Sequence, residues 1–308
     1  MRYHDPVLLQ TSVDHLVTDP SGIYVDATFG GGGHSRAIME RLSPDGRLIA
    51  FDQDAESRAN AIDDPRFRFV PSNFKNLTRF LQYHKAYPVH GILADLGVSS
   101  HQIDTPGRGF SYSHDGPLDM RMNADADLSA HDVVNQYDEE QLAKVFFTYG
   151  ELSDGRRLAR RIVRARDMQP LDTTFQLVEA LKPGLPRGRE NKTISKVFQA
   201  IRIEVNRETE VLEALLSQTP DALLNGGRLV IISYHSLEDR MVKNFMRAGN
   251  FSGEVEKDFF GNPLTPFKLI TRKAIVPDEA EIMNNPRARS AKLRVAEKIE
   301  KQAHGLDH

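Results

Sequence analysis

The stretch Val25-Asp26-Ala27-Thr28-Phe29-Gly30-Gly31-Gly32-Gly33-His34-Ser35 decides the fold class of this chain. It continues a β-rich run that begins at Ile23, and a helical pattern over residues 35–42 follows the glycines. Because glycine lacks a Cβ atom, a glycine turn between a strand and a helix lets the backbone approach a ligand closely. The pattern predicts the first strand, turn and helix of a parallel α/β sheet, with a ligand at the turn.

Short β-rich runs alternate with helical patterns through the first hundred residues, which is typical of a parallel sheet. Further strands are predicted over residues 47–51, 67–70, 89–94 and 226–233. Between these last two strands the chain has only helical patterns, near residues 138–149, 153–167, 174–182 and 192–216. We therefore expect one Rossmann-like sheet domain, formed by residues 1–104 plus 208–308, that is interrupted by a helical insert of residues 105–207.

Composition excludes several classes of function. The chain has 308 residues, 40% of them hydrophobic and 27% charged, and its net charge of −3 gives no general attraction to nucleic acid. It contains no cysteine, which excludes disulfides, thiolate metal sites and a cysteine nucleophile. No apolar leader or membrane span is visible, so we expect a cytoplasmic protein without metal or membrane contacts.

Three aspartates mark the ends of predicted strands, namely Asp26, Asp52 and Asp95. Since ligands bind beyond the carboxyl ends of parallel strands, all three are expected to line one crevice. Asp52 follows Gly30 by 22 residues, a spacing at which a carboxylate accepts hydrogen bonds from the hydroxyls of a nucleotide ribose.

Two alternatives compete with a nucleotide site of this kind. The glycines are also compatible with a merely flexible turn. A dinucleotide site would require the spacing G-x-G-x-x-G, but Ser35 and Arg36 occupy the positions of its third glycine in the two possible registers. An acid on the first strand followed by a glycine turn without a pyrophosphate cradle is closer to the pattern of a methyltransferase.

Together with further motifs, the glycine stretch resembles the RsmH (MraW) family of bacterial methyltransferases. The motifs are spread over nearly the whole chain, at residues 95–100, 108–112, 115–122, 198–206, 233–240 and 285–290. The resemblance implies a class I (Rossmann-like) methyltransferase sheet with an inserted helical substrate-recognition domain. It implies S-adenosyl-L-methionine as cofactor and, as target, N4 of a cytosine in the decoding region of 16S rRNA, nucleotide 1402 in the usual rRNA numbering.

The resemblance also implies a cofactor site and a partner. Its matching positions are Gly32, Gly33, His34, Asp52, Phe74, Asp95 and Gln102. Asp52 would bind the ribose, while Phe74 and Gln102 would border the adenine or methionine ends. The implied partner is 16S rRNA within the small ribosomal subunit, and the oligomeric state does not follow.

Methylation of an exocyclic amine needs a hydrogen-bond acceptor, because the lone pair of that nitrogen is conjugated with the ring. Asp95, or the carbonyls that follow it, is the candidate acceptor. Tyr234, Phe110 and Tyr112 are candidates for stacking on an extruded base, although lone aromatic residues are often core. His235 could move a proton or be a buried structural histidine. Transfer to cytosine C5 commonly uses a cysteine, so its absence favours transfer to nitrogen or oxygen.

Charge within the predicted insert is polarised. Residues 105–150 contain eight acidic and three basic residues, whereas residues 151–207 contain seven and thirteen. Helical spacing aligns four arginines on one stripe, namely Arg157, Arg160, Arg161 and Arg164. Such a stripe suits RNA phosphates, although a solvated helix face is an alternative. A second basic segment, with Arg287 and Arg289 followed by Lys292 and Arg294, is a further candidate for RNA contact.

Other classes of function remain open from the residues alone. An NAD-dependent oxidoreductase is disfavoured by the missing third glycine. A non-catalytic RNA-binding assembly factor is disfavoured by the presence of both Asp52 and Asp95. Among methyltransferases, a DNA or small-molecule acceptor also fits the chemistry.

Overall fold

The computed structural model describes residues 6–185 and 187–300. The chain forms two compact units, which we call the sheet unit (Met1–Gly97 with Thr209–His308) and the helical unit (Val98–Glu208). The helical unit begins before the predicted boundary at residue 105, because the short helix at Ser100–Asp104 groups with the helices that follow it. Substrate recognition by this unit stays a prediction.

The sheet unit contains a seven-stranded sheet in the order β3-β2-β1-β4-β5-β7-β6. Its strands are β1 Ile23–Asp26, β2 Arg47–Phe51, β3 Phe67–Val70, β4 Val89–Asp95, β5 Leu223–Ser233, β6 Phe267–Leu269 and β7 Lys292–Lys298. Strands β1 to β5 are parallel, and β7 runs antiparallel to both of its neighbours. Strand β6 therefore points in the same direction as β1.

The helices are numbered along the chain. They are α1 Leu9–Leu16, α2 Gly33–Arg41, α3 Leu77–Tyr83, α4 Ser100–Asp104, α5 Ala130–Gln136, α6 Glu139–Gly150, α7 Gly155–Arg166, α8 Thr174–Leu181, α9 Glu190–Asn206, α10 Glu208–Ala222, α11 Ser236–Ala248 and α12 Glu279–Asn284. None of the helices in the described ranges combines the length and apolarity that a bilayer span requires.

Both faces of the sheet are covered, which explains why its central strands are apolar runs rather than alternating patterns. Val25 and Ile92 face one core with side chains of α3, α10 and α11, while Tyr24 and Leu93 face a second core with α1 and α2. All four of these strand residues are fully buried. Burial of each such side chain contributes roughly 1.5–3 kcal/mol of transfer free energy, so the strand ends are held on a rigid base.

The helical unit has a core of its own. Helix α7 contributes Leu158 and Ile162, and α9 contributes Val197 and Ile201, all of them fully buried. The two residues of each pair are four apart along their helix, which places them on one face. The arginines of α7 therefore lie on the remaining faces of that helix.

Two sequence predictions of secondary structure were incomplete or wrong. Strands β6 and β7 were not predicted: β6 is only three residues long, whereas β7 alternates charged with apolar residues, a strand pattern that was overlooked. The helical pattern predicted over residues 192–216 is two helices, α9 and α10. The break lies at Arg207, whose φ of +48° is left-handed and ends α9.

The strand order reverses between β1 and β4. Strands β2 and β3 extend from β1 in one direction, while β4 and β5 extend in the other. Ligands of open parallel sheets bind at the carboxyl ends of the strands where the order reverses. This rule points to the ends of β1 and β4, at Asp26 and Asp95.

Candidate active site

The glycine turn between β1 and α2 has a defined shape. Gly30 and Gly32 have φ values of +51° and +77°, which side-chain-bearing residues rarely adopt. The carbonyl of Gly30 accepts from Asn60 Nδ2 at 3.1 Å, and that of Gly31 accepts from Arg36 Nη1 at 2.7 Å. With these carbonyls held by protein donors, the turn is an ordered cradle and not a flexible linker.

Gly33 is required for packing as well as for the turn. A Cβ atom at Gly33 would lie 2.1 Å from Cγ of Pro6, far inside van der Waals contact. At Gly32 a Cβ would lie 3.0 Å from the ring of Phe29, in addition to the strained φ. The run therefore brings the N-terminal segment against the first turn of α2.

We expect Gly33→Ala to lower the free energy of unfolding by about 1–3 kcal/mol, because either Pro6 or α2 must move. Chemical denaturation measures this loss, and titration with S-adenosylhomocysteine should show weaker binding. Gly107→Ala is the matched control, since a Cβ there meets no atom within 4 Å. A Gly33→Ala protein as stable as the control would contradict the expectation.

Asp52 lies directly after β2 and is tied to the glycine turn. Its Oδ2 accepts from the N–H of Gly30 at 2.7 Å, and its Oδ1 accepts from the N–H of Asp54 at 2.8 Å. Each carboxylate oxygen can accept a second hydrogen bond, so acceptor capacity for ribose hydroxyls remains. Burial raises the pKa of Asp52, and the two backbone donors oppose that effect.

The ends of β1 and β4 are joined by Thr28. Its Oγ1 accepts from the backbone N–H of Asp95 at 2.7 Å. Asp26 is buried, and its carboxylate accepts from Ser35 Oγ at 2.6 Å and from the N–H of Thr28 at 3.1 Å. Burial raises the pKa of Asp26 to about 6. Asp26 therefore stabilises the glycine turn from inside.

Asp95 is the most strongly perturbed carboxyl of the strand ends. Its Oδ1 accepts from the hydroxyl of Tyr234 at 2.8 Å, and its side chain is 23% exposed. Burial raises the pKa of Asp95 to about 7, although the Tyr234 hydrogen bond lowers it and the charge of Asp26 adds to the rise. Such a carboxyl can accept a hydrogen bond or a proton near neutral pH.

His34, in the first turn of α2, faces the same carboxylate. Its Nδ1 lies 3.8 Å from Asp95 Oδ2, and its Nε2 lies 3.2 Å from the carbonyl of Val7. Burial lowers the pKa of His34 to about 4, so the ring is neutral near pH 7. A neutral ring with Nε2–H directed at Val7 leaves Nδ1 as an acceptor on the side of Asp95.

Tyr234 and His235 form the turn between β5 and α11. The backbone N–H of Tyr234 donates to Oε2 of Glu238 at 2.9 Å, and Nε2 of His235 lies 3.1 Å from Oε1 of the same residue. His235 is also the N-cap of α11, with Nδ1 accepting from the N–H of Glu238. Both ring nitrogens of His235 therefore lie close to Glu238.

Burial of Tyr234 raises the pKa of its hydroxyl well above 10, and the charge of Asp95 adds to this rise.

Phe74 and Gln102 differ in their surroundings. Phe74 begins a short turn after β3 and packs, half-buried, against the sheet core. Gln102 belongs to the helical unit, where it is buried and forms a capping box with Ser99 at the start of α4.

The two aromatic candidates of the helical unit both have aromatic or cationic neighbours. Tyr112 packs edge-on against Phe198, and Arg108 lies over the ring of Phe110 at 5.9 Å.

The arginine stripe of α7 is only partly available to an anion. Arg157 pairs with Asp154 at 2.6 Å, and Arg160 pairs with Glu139 at 3.2 Å. Nε of Arg161 is buried without a hydrogen-bond partner among the described residues, whereas Arg164 is exposed. Arg157 and Arg160 remain more than half exposed, so both can exchange these partners for phosphates.

The second basic segment divides in the structure. Arg287 is half-buried and Arg289 is exposed, within a short turn at Pro286–Ser290. Lys292 and Arg294 lie on β7, and both pair with Asp239 of α11, at 3.0 and 2.7 Å. Because Asp239 holds both side chains and offsets one of their two charges, Lys292 and Arg294 do not simply add to Arg289 as one basic patch.

Sequence reasoning missed several residues that shape the site. Thr28 and Glu238 lie within motifs that the sequence analysis cites, but no role was predicted for either, and Asn60 was not identified. The N-cap of α11 is His235, a structural role that was not predicted from the sequence. The four-residue spacing from Tyr234 to Glu238 across a helix start was the sequence signal that could have indicated this contact.

The turn, Asp52 and Asp95 fit S-adenosylmethionine. Gly30 and Gly32 form a cradle that a Cβ atom would distort, and Asp52 has free acceptor capacity where a ribose would lie. The strand order and this site define the class of the protein, a class I S-adenosylmethionine-dependent methyltransferase with a Rossmann-like sheet.

Comparison with known proteins gives the family. Residues 1–299 match the model of the MraW methylase family, and the chain belongs to that family. It is 57% identical over 298 residues to ribosomal RNA small subunit methyltransferase H of Bacteroides thetaiotaomicron, covering 97% of this chain and 98% of the relative. The relative of the same name from Flavobacterium johnsoniae is 56% identical over 299 residues, covering 97% and 99%.

A putative rRNA methylase from Clostridium thermocellum is similar in structure at 14% identity, with a TM-score of 0.42 over 96% of this chain and 98% of that one. This distant likeness adds nothing to the family assignment. The predictions of family, fold class and cofactor from the sequence are confirmed.

Proposed function

We propose that this chain transfers a methyl group from S-adenosylmethionine to N4 of a cytosine in the decoding region of 16S rRNA, nucleotide 1402 in the usual numbering. Support for a small-subunit rRNA substrate comes from the names of relatives at 57% and 56% identity. The observation that carries the chemistry is the carboxyl of Asp95, hydrogen-bonded to Tyr234 at the point where the strand order reverses.

Bound S-adenosylmethionine supplies an activated methyl group on a sulfonium. Gly32, Gly33 and His34 would contact it through the turn, and Asp52 would bind its ribose hydroxyls. Phe74, Gln102 and Asp95 complete the set that the family resemblance implies. Within this set, the role of Asp52 as the ribose ligand has the strongest structural support, because two backbone donors orient its carboxylate and leave lone pairs for further hydrogen bonds.

Asp95 is the proposed catalytic residue. In direct transfer the C–S bond breaks as the new C–N bond forms, and the amino nitrogen then sheds one proton. A carboxylate that accepts a hydrogen bond from the amino group orients its lone pair and can receive this proton. The other Asp95 oxygen remains bonded to Tyr234, which keeps the carboxylate in one orientation.

Tyr234 is proposed to position Asp95, and its hydrogen bond to that carboxylate makes it our candidate aromatic for contact with the target base. For His235 the geometry favours a positioning role, since both ring nitrogens face Glu238 and the residue caps α11. Glu238 joins this turn through the N–H of Tyr234.

For RNA binding we propose the exposed arginines of α7 together with Arg289, while Arg161 and Arg287 contribute less because both are partly buried. The triple variant Arg157→Gln, Arg160→Gln and Arg164→Gln should weaken binding to 16S rRNA. The slope of log affinity against log salt should fall by about 2 if three single-strand phosphate contacts are lost.

The control for this triple variant removes the same charge from exposed arginines of the sheet unit, Arg41, Arg58 and Arg79. Its salt slope should match that of the unaltered protein. If the two triple variants have equal slopes of log affinity against log salt, the proposal that RNA binds to α7 is wrong.

The experiment that tests the proposed function uses labelled S-adenosylmethionine and small ribosomal subunits from a strain that lacks this protein. We expect label in 16S rRNA, at N4 of one cytosine, and mass spectrometry of nuclease digests identifies the nucleotide. Label elsewhere, or none in rRNA, defeats the proposal. Binding of S-adenosylhomocysteine but not NAD separates it from an oxidoreductase, and methyl transfer separates it from a non-catalytic assembly factor.

A further inference from the structure

A second feature of the sheet unit lies outside the proposed active site. Residues 254–266, which we call the aromatic hairpin, lie in the connection from α11 to β6 and present Phe259 and Phe260 at their tip. These side chains are 98% and 83% exposed, and their rings contact each other edge-on at 5.6 Å. Two adjacent phenylalanines without buried contacts contribute little to folding, so their exposure marks an interaction surface.

The tip is ordered despite its exposure. Asp258 accepts from the N–H groups of Phe260 and Asn262 at 2.9 and 2.8 Å, and its own N–H donates to the carbonyl of Asn262 at 2.9 Å. Gly261, with a φ of +87°, completes the turn. A turn braced in this way loses little conformational entropy when its aromatic side chains enter a pocket.

The charge around the tip selects the kind of partner. The hairpin contains three acidic residues, Glu254, Glu256 and Asp258, and one basic residue, Lys257. Three carboxylates repel a phosphate backbone and attract lysine and arginine side chains. Buried aromatic anchors within a polar, oppositely charged rim are the usual composition of a protein–protein contact.

The position of the hairpin in the sheet unit also argues against a role in binding the target nucleotide. The hairpin enters β6 at its first residue, Phe267, and β6 runs in the same direction as β1 and β4. The tip therefore lies toward the amino-terminal edge of the sheet, whereas Asp95 lies at the carboxyl edge. A nucleotide that reaches Asp95 approaches from the other end of the strands.

We propose that the aromatic hairpin docks this enzyme on a basic protein, with Phe259 and Phe260 in an apolar pocket and the carboxylates on surrounding lysines or arginines. The inference rests on the proposed function in one respect: the partner would be a protein of the small ribosomal subunit, since proteins that bind RNA carry lysine- and arginine-rich surfaces. The hairpin would then orient the enzyme on its substrate particle.

The test compares the double variant Phe259→Ser, Phe260→Ser with the unaltered protein in binding to assembled small subunits and to naked 16S rRNA. We expect at least about tenfold weaker binding to the particle, as for loss of an aromatic anchor, and unchanged binding to naked rRNA. Tyr83→Ser, which removes another 79% exposed aromatic, is the control and should bind the particle normally. Thermal melting should be unchanged in both variants.

Each contrary outcome has a distinct meaning. Equal loss on naked rRNA would assign the phenylalanines to base stacking, and conversion of a dimer to a monomer in sedimentation would assign them to a second copy of the chain. Either result, or unchanged binding to the particle, overturns the proposal. Phenylalanine-dependent binding without methylation of rRNA would leave the docking surface in place and defeat the proposed function instead.

Discussion

Asp95→Asn should lower kcat by about 10²–10⁴-fold, the range for loss of a general base. Asparagine keeps the size of the side chain and an oxygen that can accept from Tyr234, but it has no charge and takes up no proton. Binding of S-adenosylhomocysteine should weaken far less than kcat falls, because asparagine keeps the size and one acceptor oxygen of a side chain that belongs to the proposed cofactor site. Steady-state methylation of small subunits measures kcat, and calorimetric titration with S-adenosylhomocysteine measures binding, so the two effects are separated.

The pH profile gives an independent test of the same role. Because the pKa of Asp95 is raised to about 7, its carboxylate form is lost as the pH falls below 7. The rate of the unaltered enzyme should then fall about tenfold per pH unit. Asp95→Asn should lack this dependence. Tyr234→Phe removes a hydrogen bond that lowers the pKa of Asp95, so the inflection should move to higher pH.

A pH profile of Asp95→Asn that still falls below pH 7 would show that another group titrates. Nearly normal kcat in a folded Asp95→Asn protein would remove Asp95 from the chemistry. In that case the carbonyls after Asp95, which sequence analysis kept as alternatives, would be the acceptors of the amino group.

Asp52→Ala should weaken binding of S-adenosylhomocysteine by about 100-fold, from the loss of two charge-assisted hydrogen bonds to a ribose. The same change leaves the N–H groups of Gly30 and Asp54 without their acceptor. The free energy of unfolding should therefore fall by about 1–3 kcal/mol. Calorimetric titration and chemical denaturation measure the two losses separately.

Asp64→Ala is the control for this experiment. It removes an aspartate of the same unit that pairs with Arg66, away from the glycine turn, and should leave cofactor binding unchanged. Asp52→Asn retains one acceptor oxygen and should lie between Asp52→Ala and the unaltered protein. If the folded Asp52→Ala protein binds S-adenosylhomocysteine as tightly as the Asp64→Ala protein does, then Asp52 does not bind the ribose.

The sequence predicted the parts of the site that follow from strand ends. Asp52 and Asp95 were identified because parallel strands place their carboxyl ends at one edge, and the glycine run because only glycine suits such a turn. Neither inference requires knowledge of side-chain packing. The structure adds the hydrogen bonds that make these residues a unit, notably that from Gly30 to Asp52.

Residues that act through long-range contacts were harder to predict. Tyr234 was one aromatic candidate among three, and its bond to Asp95 joins positions 139 residues apart in sequence. From the sequence, Lys292 and Arg294 were predicted to be part of a basic segment. In the structure β7 pairs with β5, and both side chains form ion pairs with Asp239. Sequence spacing does not give the partner of a charged side chain.

The sequence by itself determined the family, the parallel sheet, the glycine turn and the carboxylates at the strand ends, because these depend on local patterns of glycine, apolar runs and strand ends. Only the tertiary structure decided the state of the charges. It places the partly buried Asp95 beside Tyr234, keeps His34 neutral, pairs half of the arginine stripe with carboxylates and exposes two phenylalanines. Protonation and pairing depend on which distant groups share a low-dielectric environment, and only folding brings those groups together.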